Sequence, residues 1–259
     1  MTSNLPTQIG ALTQRSIMRT ARQPASAIPP LIFPIALLLM NSGGLKASTL
    51  LPGFPTDSFV AFALAVPFIQ GALFSTMNAG TDLARDIQTG FFSRLSLTPV
   101  RGSALLAGQI TGIVVLGVVQ AVFYICVGLL LGVRFESGIG GVVVLLLYAA
   151  LVAGAFGALG SFLALRTGSG ESIQGLFPVL FVFLFISSMN TPRNLIAVPW
   201  FQFLASVNPV SYLIECVRSL IITGWDARAL ALGFGIATIL GIVSLTAASW
   251  ALSRRLERT

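Results

Sequence analysis

The chain reads as an all-α polytopic membrane protein, and three features of its sequence say so. Hydrophobic residues fill 55% of its 259 positions and charged residues only 9%, against about 25% charged in an ordinary soluble domain. Mean hydropathy is +0.92, and so few charges cannot cover a globular surface with polar groups. The apolar residues gather into runs of about 20 or more, the length that crosses a bilayer as a helix. The expected layout is one membrane domain over residues 1–259. It has six transmembrane helices, an interfacial amphipathic helix before the first and a re-entrant segment before the last.

Residues 1–25 place Ile9, Leu12, Ile17 and Met18 at helical spacing, with Arg15, Arg19 and Arg22 interspersed. Such a segment lies along the inner leaflet, its apolar side in lipid and its arginines at the headgroups. It does not read as a signal peptide: the charged part is too long, and no A-x-A-like site follows the apolar stretch. Pro24 and the Pro29-Pro30 pair lead into the first span.

Five spans are expected within 27–190, at Ala27–Gly44, Ser58–Gly80, Ala104–Val133, Ile139–Leu165 and Ile173–Asn190. The sixth is Leu230–Leu252. Gly154, Gly157 and Gly160 in the fourth suit close helix packing. Between the fifth and sixth lies Pro199–Gly224, PWFQFLASVNPVSYLIECVRSLIITG, apolar enough to suggest a seventh span. Glu215 and Arg218 would each cost about 2.5–3.5 kcal/mol at a helix centre, and Leu, Ile, Val or Phe return only about 0.3–0.6 kcal/mol each. A helical pair broken at Asn208-Pro209 and shielded by protein fits better. Glu215 and Arg218 stand three apart, so on a helix they are expected to pair.

Positive charge sets the orientation. With six spans, ten arginines share one side (Arg15, Arg19, Arg22, Arg85, Arg94, Arg101, Arg166, Arg254, Arg255 and Arg258). Five cations fall on the other: Lys46, Arg134, Arg193, Arg218 and Arg228. The side with ten is expected to be cytoplasmic, with both termini inside a cell membrane. The net charge of +7 is therefore a topology signal, and no aromatic-interleaved basic patch suggests nucleic acid.

Several absences narrow the chemistry. The chain has no histidine, and its two cysteines, Cys126 and Cys216, make no zinc site alone. Both fall toward the outer side, where membrane burial argues against a disulfide. No G-x-x-x-x-G-K-[ST] occurs, so the chain is not expected to hydrolyse nucleotide or to bind a cofactor itself. Acidic residues near mid-membrane are also scarce, with Glu171 and Glu215 the candidates, and neither makes a convincing coupling-ion site. Any transport then draws its energy from a partner.

The cytoplasmic segment Asp86–Gly108, DIQTGFFSRLSLTPVRGSALLAG, is the most distinctive part of the chain. Read as a helix, it groups Ile87, Phe91, Arg94, Leu95 and Thr98 on one face, and Pro99 stops it. A loop that only joined two spans would not need the adjacent Phe91 and Phe92, which suit docking into a partner or resting on lipid headgroups.

Asp86, Gly90, Phe91, Arg94, Leu95, Pro99 and Val100, followed by Leu106-Ala107-Gly108, resemble the coupling-helix pattern of type-2 ABC exporter permeases. The branch they resemble is the daunorubicin-resistance type. Val207-Asn208-Pro209-Val210-Ser211-Tyr212, with Arg218 and Gly224, is similar to that family's segment before its last span. Asp86-Ile87-Gln88 departs from the acid-rich form that many relatives carry. The resemblance implies a cytoplasmic coupling helix between spans 2 and 3. It also implies a pore of two permease subunits, as homodimer or heterodimer, over two ABC ATPase subunits that hold ATP and Mg. Asp82–Thr98 would transmit the ATPase motion. Phe91 and Phe92 would fill a groove, Arg85, Asp86 and Arg94 would form charge pairs at its rim, and Gly90 would permit close approach.

The family's substrate path runs between the second and fifth spans. Here those spans offer Phe62 and Gln70 on one side and Phe177, Phe181 and Phe185 on the other, a wall suited to drug-like or lipid-like amphiphiles. The competing expectation is that the phenylalanine stripe packs against a neighbouring helix or faces lipid. Asn208, Pro209, Glu215 and Arg218 are expected either to form an outer gate or to stabilise a re-entrant cap. The alternative function is an ATPase-independent secondary transporter or membrane assembly scaffold.

Overall fold

The computed structural model describes residues 4–90 and 102–256. Helix α1 spans Leu5–Ala21 and α2 Pro24–Gly44. A short α3, Phe59–Ala63, turns into α4, Ala65–Gln88. Long helices α5, Gly102–Leu130, and α6, Gly138–Thr167, follow, then the shorter α7, Gly170–Phe185. Helices α8, Pro199–Val207, and α9, Pro209–Arg218, lead through a π-helical turn, Ser219–Thr223, to α10, Ala227–Leu256. Among the described residues, five segments are long and apolar enough to cross a membrane: Ala27–Gly44, Phe59–Gln88, Gly102–Leu130, Gly138–Thr167 and Ala227–Leu256.

The bundle is built around α4. Its apolar stretch is 89% buried, against 17% for those of α2 and α10, so α4 is the central shaft and those two lie at the periphery. It packs on α6, α7, α2, α5 and α9. Small residues make the closest of these approaches. A Cβ on Gly160 of α6 would lie 2.1 Å from the Thr76 carbonyl oxygen of α4. Gly157 meets Ile113 and Gly154 meets Val114 of α5, so the glycine run serves packing, as expected.

Prolines break or bend the helices, and side chains answer two of the breaks. Pro67 has no N–H to offer the Ala63 carbonyl one turn back, and the chain breaks there between α3 and α4. Pro34, inside α2, leaves the Pro30 carbonyl without its helical donor, and the buried Tyr124 hydroxyl of α5 donates to it. Asn208 caps α9, its Oδ1 accepting from the Val210 N–H at 2.9 Å, and Pro209 occupies the first helical position. Asp226 caps α10 through the N–H groups of Arg228 and Ala229 at 2.9 and 3.1 Å.

Two expectations change. The fifth apolar run does not stay helical to Asn190: α7 ends at Phe185, 16 residues in all, or about 24 Å at 1.5 Å per residue. Hydropathy continues through Ile186–Met189, but Ser187 and Ser188 hydrogen-bond into the turn instead: the Ser187 hydroxyl to the Leu184 carbonyl, the Ser188 N–H to the Ser211 hydroxyl. The second run extends past Gly80, and Asp82–Gln88 forms its last two turns rather than the start of a separate helix. Helix α1 packs along α5. Leu12 and Ser16 seat on Gly108 and Gly112 of α5, and the Thr13 hydroxyl donates to the Gly108 carbonyl at 3.2 Å. Cys126 and Cys216 are free thiols, the first exposed and the second buried.

The packing predicts a contrast between two glycines. Gly160→Ala forces α6 off the α4 backbone and lowers unfolding stability in detergent by about 1–3 kcal/mol. Gly235→Ala, with nothing within 4 Å of its Cβ, holds or raises it, as replacing a helical glycine should. Equal effects of the two would contradict the close α4–α6 approach.

Candidate functional site

Two polar constellations occupy opposite ends of α4. At the near end, α1 and the last turns of α4 meet through four charges. Arg15 makes a bidentate pair with Asp86, both contacts 2.9 Å. Arg19 reaches Asp86 at 3.0 Å and Asp82 at 3.2 Å. Arg19 and Asp86 are only 17% and 13% exposed, so this network is better sheltered than an ordinary surface pair. Bases at i and i+4 on α1 face acids at i and i+4 on α4, one helical turn matched against another. Gln88 donates to the Gly168 carbonyl at 3.2 Å and Arg255 to Leu165 at 2.9 Å. The ends of α4, α6 and α10 are thereby tied together.

Arg85, by contrast, is exposed and makes no ion pair among the described residues. Gly90 follows the α4 C-cap with φ +69°, and no atom of the other described residues lies within 4 Å of its Cβ position. Its backbone forms the left-handed helix terminus, which side-chain residues adopt at a cost. Phe91, Phe92 and Arg94 lie outside the described residues.

At the far end, the broken pair α8–α9 folds over a cavity of about 480 Å³ lined by Phe62, Arg193, Asn194, Gln202, Glu215 and Arg218, among others. Glu215 does not pair with Arg218. Arg193 takes both its oxygens, Nε at 2.7 Å and Nη2 at 2.6 Å, and lies 4.3 Å above the Tyr212 ring. Burial works against the Arg193 charge, but Glu215 and Tyr212 outweigh it and hold the guanidinium above its ordinary range. Arg218 turns inward instead. It is 5% exposed, donates to the carbonyls of Phe62 and Met189 at 3.2 and 3.1 Å, and stacks 3.5 Å from the Phe62 ring. Asn208 spends its amide on the Phe183 and Ile186 carbonyls, which joins the end of α7 to the Asn208-Pro209 break.

Between the two ends, the phenylalanines of α7 meet α4 and α2. Phe177 and Phe181 stand 4.4 Å apart, and Phe74 of α4 lies 5.2 and 6.1 Å from them. Phe33 of α2 closes on Phe181 at 5.9 Å. Phe181 is buried in this cluster and Phe185 is exposed beyond it. Gln70, one turn from Phe74, is completely buried, and neither polar atom of its amide has a partner among the described residues. Phe62 sits apart from the stripe, beneath Arg218 and against Phe54 and Phe59.

Residues 7–222 match the family model described as ABC-2 type transporter. The chain belongs to the ABC-2 type transporter family. A daunorubicin resistance ABC transporter permease protein of Streptomyces coeruleorubidus is 30% identical over 215 residues, covering 80% of this chain and 72% of that one. A putative transport permease of Porphyra purpurea is 26% identical over 213 residues, 82% and 72% of the two chains. A probable doxorubicin resistance ABC transporter permease protein of Mycobacterium tuberculosis is 24% identical over 213 residues, 82% and 76%. As a member of this family the chain is a multi-pass membrane permease that associates with ABC ATPases.

In this ABC-2 permease, Arg15, Arg19, Asp82 and Arg193 are the polar residues that motif reading passed over. The i, i+4 spacing of two bases and two acids is present in the sequence, and it points to the first three only once α1 is placed beside α4. Arg193 carries no such local signal. Removing one partner of the near-end network should loosen α1 from α4. Asp86→Asn and Arg19→Gln are each expected to lower stability in detergent. A double-mutant cycle between them should return a coupling energy of about 0.5–3 kcal/mol, whereas a value near zero would mean that the network holds nothing together.

Proposed function

We propose that this permease is the membrane subunit of an ATP-driven exporter, and that α1 and α4 move as one lever under the ATPase. The observation that carries this reading is the network of Arg15 and Arg19 with Asp82 and Asp86. It fixes the N-terminal helix to the end of α4 immediately before the segment that bears Phe91, Phe92 and Arg94. Asp86 is spent inside the chain, so the charge left to meet a partner from this end of α4 is Arg85. Phe91 and Phe92 then act as buried aromatic anchors in a groove of the ATPase, while Arg85 and Arg94 set orientation at its rim.

The working complex holds two permease subunits, identical or paired with a similar chain, over two ATPase subunits that bind ATP and Mg. Both termini lie in the cytoplasm, which the ten-to-five division of positive charge supports. The names of the Streptomyces and Mycobacterium relatives support a drug-like amphiphile as cargo, with lipid-like molecules of the same character included. Its path runs between α4 and α7, past Gln70, Phe177, Phe181 and Phe185. Opening it means drawing Phe74 away from Phe177 and Phe181. That motion gives the Gln70 amide a polar neighbour, and leaving a buried amide unpartnered costs about 1–3 kcal/mol. At the far end, Asn208 and Pro209 form the joint of an outer gate, Phe62 and Arg218 its floor, and the Arg193–Glu215 pair its latch.

The alternative, transport or scaffolding without an ATPase, makes a different prediction for the coupling segment. Replacing Phe91 and Phe92 together with alanine should cut co-purification of the partner ATPase at least ten-fold and abolish ATP-dependent transport. Membrane insertion should be unchanged. Undiminished ATPase binding and transport in the double variant would overturn the coupling assignment. Transport by reconstituted wild-type chain with no ATPase present would favour the alternative.

A further inference from the structure

We propose that the far-end cavity is a phosphate-binding site and that Arg218 is its principal ligand. This goes beyond the transport reading and does not depend on the ATPase. Arg218 is a guanidinium buried to 5% exposure, a depth at which an ionised side chain is rarely kept without an opposite charge. The nearest acidic side chain along its own helix, Glu215, is held in a bidentate contact by Arg193 and acts on Arg218 only through space. No carboxylate lies within ion-pair distance of Arg218 among the described residues.

Its hydrogen bonds are also incomplete. A guanidinium carries five N–H donors in a rigid fork. Arg218 spends Nε on the Phe62 carbonyl and one Nη2 hydrogen on Met189. Among the described residues, both Nη1 hydrogens and the second on Nη2 find no protein acceptor, and they belong to a side chain that lines the cavity. That edge of the fork matches two oxygens of one phosphate group.

The wall around it suits such a guest. Immediately after Arg218 the helix widens into the π-helical turn Ser219–Thr223, a distortion that recurs at functional sites, and Ser219, Ile222 and Thr223 all line the cavity. Asn194, Gln202 and Ser206 supply further polar lining. The charges that face the space are Arg193, Glu215, Arg218 and Asp226, and Asp226 is exposed and turned to cap α10. The buried part of the wall therefore carries the Arg218 guanidinium, with Glu215 bound to Arg193 beside it and Asp226 held at the α10 cap. At about 480 Å³ the space exceeds a bare phosphate, so either a phospholipid headgroup or a free phosphate can supply the group.

The test uses the full-length chain purified in uncharged detergent. One arm titrates inorganic phosphate against chloride at equal ionic strength and follows thermal unfolding. The other extracts the chain from vesicles of phosphatidylglycerol and phosphatidylcholine and counts retained phosphatidylglycerol by native mass spectrometry. Saturable binding in the first arm alone identifies a free-phosphate site, and in the second alone a headgroup site. Binding in both supports the shared chemistry, and binding in neither overturns the proposal. Arg218→Gln should weaken whichever binding is seen by ten-fold or more, and unchanged binding in the folded variant overturns the assignment. Where Arg218→Gln does not fold, Asn194→Asp decides. It places a like charge in the cavity at an exposed position and should weaken binding several-fold, whereas unchanged affinity overturns the site.

Discussion

In a hydrocarbon setting no water can satisfy a backbone group released from a helix, so each irregularity needs an acceptor or donor from the protein itself. That constraint organises this molecule. Tyr124 answers the carbonyl freed by Pro34, and Arg218 answers one in the last turn of α3, beside the break that Pro67 imposes. Asn208 joins the end of α7 to the start of α9. Ser137 and Glu136 donate from the loop before α6 to the Leu220 and Ile221 carbonyls of the π-turn. Each of these contacts ties together elements distant in sequence, so the same groups that satisfy the backbone also hold the bundle.

The second consequence is a division of labour along α4. Its middle is packed from every side, with the Gly160 backbone pressed against it and the phenylalanines of α2 and α7 around Phe74. Its two ends carry the polar machinery. A helix this tightly held transmits displacement rather than absorbing it, because close-packed interiors deform little. A push on the residues after Gln88 then reaches α1 through Asp86 and reaches the α7 interface through Phe74. The unpartnered Gln70 amide marks where the resting arrangement is least comfortable.

Much of this was legible from residue types. The long apolar runs gave the helices, because a lipid-spanning helix needs little beyond length and hydropathy. The Asn208-Pro209 break was legible because proline cannot continue a helix without loss of a hydrogen bond. Hydropathy could not mark the end of α7, since Ile186 and Met189 are apolar while serines between them bend the backbone by hydrogen bonding. The partner of Glu215 was misread for a physical reason. Three-residue spacing offered Arg218 locally, but Arg193 arrives from 22 residues away, and burying Arg218 against two carbonyls removed it from reach. The Arg15–Asp86 pair spans 71 residues, so its spacing pattern acquires meaning only once α1 is placed beside α4.

The central claim is that α1 and α4 behave as one body while α4 and α7 shift against each other. Electron–electron distance measurements on the permease–ATPase complex test it directly, with spin labels at Gln14 and Gln88 in one sample and at Gln88 and Gln174 in another. Between the nucleotide-free and ATP-bound complexes, the distance from 14 to 88 should hold and that from 88 to 174 should change. A 14-to-88 distance that changes while the other stays fixed would contradict the account.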